Sequence, residues 1–275
     1  MRKPALPSSN SRSSLLEVSS RSLRDLDLDT RDTKFDGYYL HAPDPQTPMQ
    51  ESYAAIQELY QAGVFKRFGL SNISSAEVRR FHDHGKANGY VLPTLFQGYY
   101  NAVARRCEDE LLPVLRELGI SFYCYSPLGA GFFTSTAEDI KRGAGRFDLR
   151  DVDGVVYQNM YSKPSYLAAL QQWKDLANRT GVGAAALAFR WINFHSRLNA
   201  EHGDGIITSA DTPEQLQELM LWRREGALEE DIVAEMDKIW EVCKGEAALD
   251  CVSGWMEDVT NGRVEIPDCM KQYST

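Results

Sequence analysis

Several features that would assign this sequence quickly are missing from it. There is no CxxC pair and no cysteine and histidine spacing of the kind that closes a zinc site, although the chain holds five cysteines, Cys107, Cys124, Cys243, Cys251 and Cys269; no metal is expected. An odd number of scattered thiols also argues against a disulfide framework and points to a reducing, cytoplasmic setting. Long apolar runs are absent: nothing approaches the roughly 20 residues that a membrane helix needs. No secretory hydrophobic segment precedes a small-residue cleavage site, so neither a membrane partner nor export is expected. An excess of basic residues is lacking too. Lysine and arginine number 30 against 39 acidic residues, a formal charge of -9. That balance argues against the concentrated basic face that nucleic acid requires, and no nucleic-acid partner is expected.

What is present suffices for a folded enzyme-sized core. The 275 residues are 43% hydrophobic and 25% charged, enough to bury one large core or two modest ones. The start, MRKPALPSSNSRSS, is basic, serine-rich and free of acids until Glu17. A mitochondrial presequence shares that composition, but the expectation is a flexible or atypical segment over residues 1–20.

From residue 35 the pattern alternates. Short β-branched or aromatic runs at 35–40, 68–70, 94–97, 121–125 and 205–207 read as five strands; each is bounded by polar or glycine-containing turns. Helical periodicity occupies 48–61, 75–84, 107–118, 165–194, 212–224 and 229–243, with one earlier helix over 13–28. Ser74 with Glu77 has capping-box spacing, and Asp211 or Thr212 before Pro213 suits a helix start. Tyr53, Ile56, Leu59 and Tyr60 form a stripe that would pack on a sheet. Residues 135–157, with RGAGR and DVDG, read as a loop-rich insertion. The order is a repeated β/α unit and therefore a mainly parallel sheet.

In such sheets ligands gather where strands finish. The strand ends give His41, then Ser71 and Asn72, then Gln97, then Tyr125 and Ser126, then Thr208 and Ser209. A single polar residue at a strand end is ordinary loop capping, whereas five in succession point to a shared site. Tyr99 and Tyr100 are expected along its wall. His82 and His84 in FHDHG lie two apart, which directs them to different sides of a helix, and they are not taken as a metal pair.

YYLHAPD, FGLSN, LFQGYYN, FYCYSPLGAG, AFRW and the TPEQL helix start resemble, in order and over about residues 20–245, the aldo-keto reductases, most closely the aflatoxin-aldehyde-reductase branch and its fungal relatives. The resemblance implies a (β/α)8 barrel and hydride transfer between NADPH and an aldehyde or ketone, in fungal secondary metabolism. By position, His41 resembles the histidine that orients the substrate carbonyl. Ser71, Asn72 and Gln97 resemble the groups that hold the nicotinamide carboxamide, and Tyr125 the ring stacked on the nicotinamide. Ser126, Leu128, Gly129 and Gly131 match the loop beside the pyrophosphate; Ser209, Thr212 and Gln215 match the 2'-phosphate end. Arg146 and Tyr161, with Arg142, resemble the branch's substrate loop. Asp211 stands where a serine is common and Leu219 where an adenine-side asparagine is common, which weakens the preference for NADP over NAD.

The family's proton-transfer partners, an aspartate, a tyrosine and a lysine on the first three barrel strands, have no counterparts in these residues. The expectation is therefore an incomplete (β/α)8 barrel retaining about the last five β/α units over residues 21–245, followed by a C-terminal extension over 246–275. Open strand edges would favour a homo- or hetero-oligomer. Two readings follow: a carbonyl reductase, or a catalytically inactive, nucleotide-binding or interaction relative of it.

Overall fold

A computed structural model describes residues 9–29 and 33–252. The expectations for residues 1–8, including most of the basic start, and for the extension beyond 252 with Cys269, lie outside the described residues. The strands are β1 Phe35–Leu40, β2 Phe65–Ser71, β3 Pro93–Tyr99, β4 Ser121–Tyr125 and β5 Gly205–Ile206. They stand in one five-stranded sheet in the order β1-β2-β3-β4-β5, with β1 against β2, β2 against β3, and β4 against β5 all parallel. Helices separate them: α1 Arg12–Asp25, α2 Met49–Gln61, α3 Ser75–Asn88, α4 Cys107–Glu110, α5 Leu112–Leu118, α6 Ala137–Lys141, α7 Val152–Tyr161, α8 Pro164–Thr180, α9 Ala184–Phe194, α10 Pro213–Arg224 and α11 Glu230–Cys243. Strand order equal to chain order, with a helical crossover between neighbours, is the arrangement of a (β/α)8 barrel, and these units correspond to roughly its C-terminal half.

The chain forms two compact units, one from residues up to Gln97 with Pro113–Ser121, the other from Gly98–Leu112 and from Phe122 onward. In the first, Tyr53, Ala55, Ile56 and Leu59 of α2 meet a core with Phe65, Phe68 and Leu70 of β2. Tyr60, expected in the same stripe, is 40% exposed instead; it edges onto Phe65 with ring centroids 5.6 Å apart. In the second, Trp173, Leu170 and Leu176 of α8 and Met236, Ile239 and Cys243 of α11 are buried.

Three departures from the expected elements have local causes. The helix over 107–118 is broken at Leu111 because Pro113 has no N–H to continue the ladder. The helix over 165–194 is two, since Gly181 takes the left-handed conformation (φ 72°) that ends α8. Residues 135–157 are largely helical: Thr136 and Asp139 form a capping box that starts α6, and Val155, Met160 and Tyr161 bury one side of α7. Turns survive around Gly143 and Gly145, both with positive φ, and over 148–151, where the Asp151 N–H donates to the Asp148 carbonyl at 3.0 Å. Among the described residues no helix is long and apolar enough to cross a membrane.

Candidate functional site

In the first unit, three successive strand ends are tied together by the side chains that the sequence singled out. Asn72, just past β2, has φ 54°, a left-handed conformation that asparagine tolerates better than most residues. Its side-chain amide donates to the His41 carbonyl at 2.8 Å, which links the end of β2 to the end of β1. Ser71 donates from its hydroxyl to the Gln97 carbonyl at 2.9 Å, which links β2 to β3. Both residues are buried, while Gln97 is half-buried. His41 itself is exposed, yet the protein around its ring displaces enough water to hold the imidazole pKa below its ordinary value.

The residues that follow His41 are structural. Asp44 accepts from the Asn10 N–H at 2.7 Å, the Gln46 N–H at 3.0 Å and the Thr47 hydroxyl at 2.6 Å. Burial opposes its ionisation, but these bonds and one from Ser9 outweigh burial and leave its pKa below the usual carboxylate value. Beside this loop is a cavity of about 370 Å³ lined by Leu40, Asp44, Met49, Ile73 and Phe81 among others. None of His41, Ser71, Asn72 or Gln97 lines it, so its size is no guide to the chemistry of the strand ends.

In the second unit, Tyr125 ends β4 with its ring centroid 5.7 Å from that of Tyr99. Its hydroxyl pairs with the Cys251 thiol at 2.9 Å, and burial first, then the thiol, raise its pKa far above the ordinary phenol value. Its phenol therefore stays uncharged. The next residues make a turn in which Ser126, Gly129, Ala130 and Gly131 all have positive φ. A Cβ on Gly131 would meet nothing within 4 Å, so the backbone there is open to close approach. Leu128 is half-buried. Ser209 and Thr212 are exposed at the start of α10, where the Thr212 hydroxyl accepts the Gln215 N–H at 3.3 Å. The Gln215 side chain in turn accepts the Asp211 N–H at 2.7 Å. Leu219 is buried on the same helix.

The two residues expected in a substrate loop part company. Arg146 is exposed, whereas Tyr161 is wholly buried, stacked on Phe132 at 4.6 Å with its hydroxyl paired to that of Tyr99. Tyr100 is also inside the unit rather than on a wall: its hydroxyl donates to Glu108 and its ring stands edge-on to Trp191. Sequence reasoning missed Asn101, completely buried and bonded to the Ser126 carbonyl at 3.2 Å. Its position in LFQGYYN, four residues after Gln97, was the available signal. Cys251 was also missed as the partner of Tyr125, and no spacing links the two.

Comparison with known proteins bears on the family. The aldo/keto reductase family profile matches residues 1–241, so the match begins upstream of the motifs. Oxidoreductase sirO of Leptosphaeria maculans is 41% identical over 77% of this chain and 64% of its own length. An aldo-keto reductase of Pseudocercospora fijiensis is 37% identical over 87% of the chain and 80% of its own length. Aflatoxin B1 aldehyde reductase member 2 of Rattus norvegicus is 38% identical over 78% and 60% respectively. The chain thus spans less than two thirds of the length of two of these three relatives. With a family match over most of its residues and the motifs placed at successive strand ends, the chain belongs to the aldo/keto reductase family.

Proposed function

We propose that this chain carries the nucleotide-holding and carbonyl-orienting part of an NADPH-dependent reductase of aldehydes and ketones, in the aflatoxin-aldehyde-reductase-like branch, acting in the cytoplasm in fungal secondary metabolism. The observation that carries the reading is the left-handed Asn72 whose amide is bonded to the His41 carbonyl. Such a strained, buried residue at a strand end persists where a site must be preorganised. Fungal and aflatoxin-aldehyde-reductase relatives support the branch, and the four described cysteines, all free thiols, support a reducing setting.

The residues fit a dinucleotide. The open backbone at Gly131 would admit the pyrophosphate, and the exposed Ser209 and Thr212 at the start of α10 would meet the adenosine phosphate. Asn72 and Gln97 would hold the carboxamide, with Ser71 fixing the strand beside them. Tyr125 would supply a stacking face. When bound, the dihydronicotinamide supplies the hydride. His41, neutral at pH 7 because its pKa is lowered, would donate a hydrogen bond to the substrate carbonyl oxygen. Arg146 and Tyr161 shape the carbonyl substrate's side of the loop, Arg146 from the surface and Tyr161 from within. Asp211 adds like charge near the phosphate end, so discrimination against NADH should be modest.

The aspartate, tyrosine and lysine that complete proton transfer in the family are not among these 275 residues. Nucleotide binding without turnover is the expected behaviour of this polypeptide, and association through the terminal strands β1 and β5 would complete its sheet. Titration with NADPH, followed by tryptophan quenching, should saturate, while a nitrobenzaldehyde should be reduced no faster than background. A folded sample that gives no NADPH response overturns the binding assignment. Robust turnover that disappears in His41→Ala overturns the inactivity of the isolated chain.

A further inference from the structure

A buried polar cluster lies behind the turn at residues 126–131. Asn101, with no exposed surface, accepts the Val103 N–H on its side-chain oxygen at 3.1 Å. Its side-chain nitrogen donates to the Ser126 carbonyl at 3.2 Å and to the Tyr161 hydroxyl at 3.4 Å. That hydroxyl also pairs with Tyr99. A Cβ on Gly129 would lie 3.0 Å from the Tyr161 hydroxyl, so the phenol supports the turn from beneath. The Ser126 carbonyl additionally accepts the Gly129 N–H at 2.9 Å, which uses both of its lone pairs.

The two ends of the Asn101 amide do different work. Its oxygen closes a local turn onto Val103, a task that aspartate performs equally well. Its nitrogen reaches across to the residue that opens the left-handed run. Ser126 and Ala130 adopt φ 54° and 55° without being glycine, conformations that persist only where the surroundings over-determine them. An aspartate oxygen would keep the bond to Val103, so the contribution that only the amide makes here is the donor to the Ser126 carbonyl.

We propose that Asn101 is a positioning residue for nucleotide binding: with Tyr161 it locks the 126–131 turn, through the Ser126 carbonyl, into the shape that receives a pyrophosphate. The proposal rests on the reading of that turn as the pyrophosphate loop. It requires no contact between Asn101 and the nucleotide.

Two variants test it. Asn101→Asp keeps the acceptor for Val103 and removes the donor; Tyr161→Phe keeps the ring and removes the hydroxyl. Affinities for NADPH and for adenosine 2'-monophosphate, which lacks the pyrophosphate, are measured by calorimetry, and hydrogen exchange is followed in a peptide covering the turn. Loss of one buried bond should weaken NADPH binding about three- to tenfold and speed exchange at the turn, leaving the monophosphate affinity and exchange in α8 unchanged. A merely structural role would weaken both ligands together and overturns the proposal, as do variants with parental NADPH affinity and parental turn exchange. If the parent chain binds neither nucleotide, the nucleotide reading fails, and exchange at the turn alone then decides whether Asn101 braces it.

Discussion

Gly85 sits in the interior of α3, where replacement by alanine should raise helix propensity by about 1 kcal/mol. The structure predicts the opposite outcome. A Cβ at this position would lie 2.0 Å from the Tyr53 hydroxyl oxygen, 2.8 Å from its Cζ and 3.0 Å from Leu92 Cδ2. Tyr53 has no exposed surface and cannot swing aside: its ring is held among Phe68 at 5.5 Å, Phe81 at 5.7 Å and Tyr90 at 5.6 Å. Its hydroxyl donates to the Val91 carbonyl at 2.8 Å. Overpacking of this kind costs about 1–3 kcal/mol, and loss of the Val91 bond adds roughly 1–3 kcal/mol. Set against the propensity gain, Gly85→Ala should destabilise by about 1–5 kcal/mol. Urea unfolding should show a lower midpoint at an unchanged slope. In a Tyr53→Phe background, where the nearest atom is gone, the penalty should shrink. A Gly85→Ala protein as stable as the parent, or an equal penalty in both backgrounds, would refute the close approach and with it the packing of α3 behind the Asn72 loop.

Other outcomes are set by caps and by titration. Ser74→Ala removes the hydroxyl that accepts the Glu77 N–H in the capping box, while the residue-74 N–H can still donate to the Glu77 carboxylate, and should cost about 1 kcal/mol in urea unfolding; no loss would mean that the hydroxyl's place is taken by water. Thr212→Ala should cost a similar ~1 kcal/mol, with faster amide exchange confined to the first turn of α10. His41 should titrate below its ordinary value of 6.5 in an NMR pH series. Because the unfolded chain then takes up the proton first, this group contributes nothing above about pH 6.5 and stability falls as pH drops through the folded pKa. An elevated His41 midpoint would contradict the desolvation. The Cys251 thiol, pushed up to about 12 by burial, should alkylate far more slowly at pH 8 than in urea, as read by mass spectrometry of its peptide.

How much of this was legible in the sequence depends on range. β1 and β4 begin and end where their aromatic runs do, since period and turn residues are local properties. The Ser74 cap was legible for the same reason, whereas the start of α10 was legible only as Asp211 or Thr212, of which the structure has Thr212 as the cap. The α6 start was equally local, Thr136 with Asp139, but the glycines of RGAGR masked it. Pro113 and Gly181 mark helix breaks that a continuous apolar period conceals. Burial of Tyr161 and Asn101 was not legible, because it depends on α7 packing against the residues after β3, contacts some 60 residues apart in the chain.

The strand ends show why polar residues there are ambiguous from sequence. A hydroxyl has one proton to give, and that of Ser71 goes to the Gln97 carbonyl with none of the residue exposed. In the proposed nucleotide role Ser71 therefore cannot act as a donor, and its contribution is to hold β3 in register with β2 so that the Gln97 side chain is presented. Ser71→Ala should then weaken NADPH binding only as far as it loosens β3, and Ser71→Cys, which restores a weak donor of similar size, should recover part of the loss. Gln97→Ala, by contrast, removes a ligand group outright and should not be rescued by anything at position 71. Equal losses for Ser71→Ala and Ser71→Cys, without faster exchange in β3, would place Ser71 in direct contact with the nucleotide and reverse this division of labour.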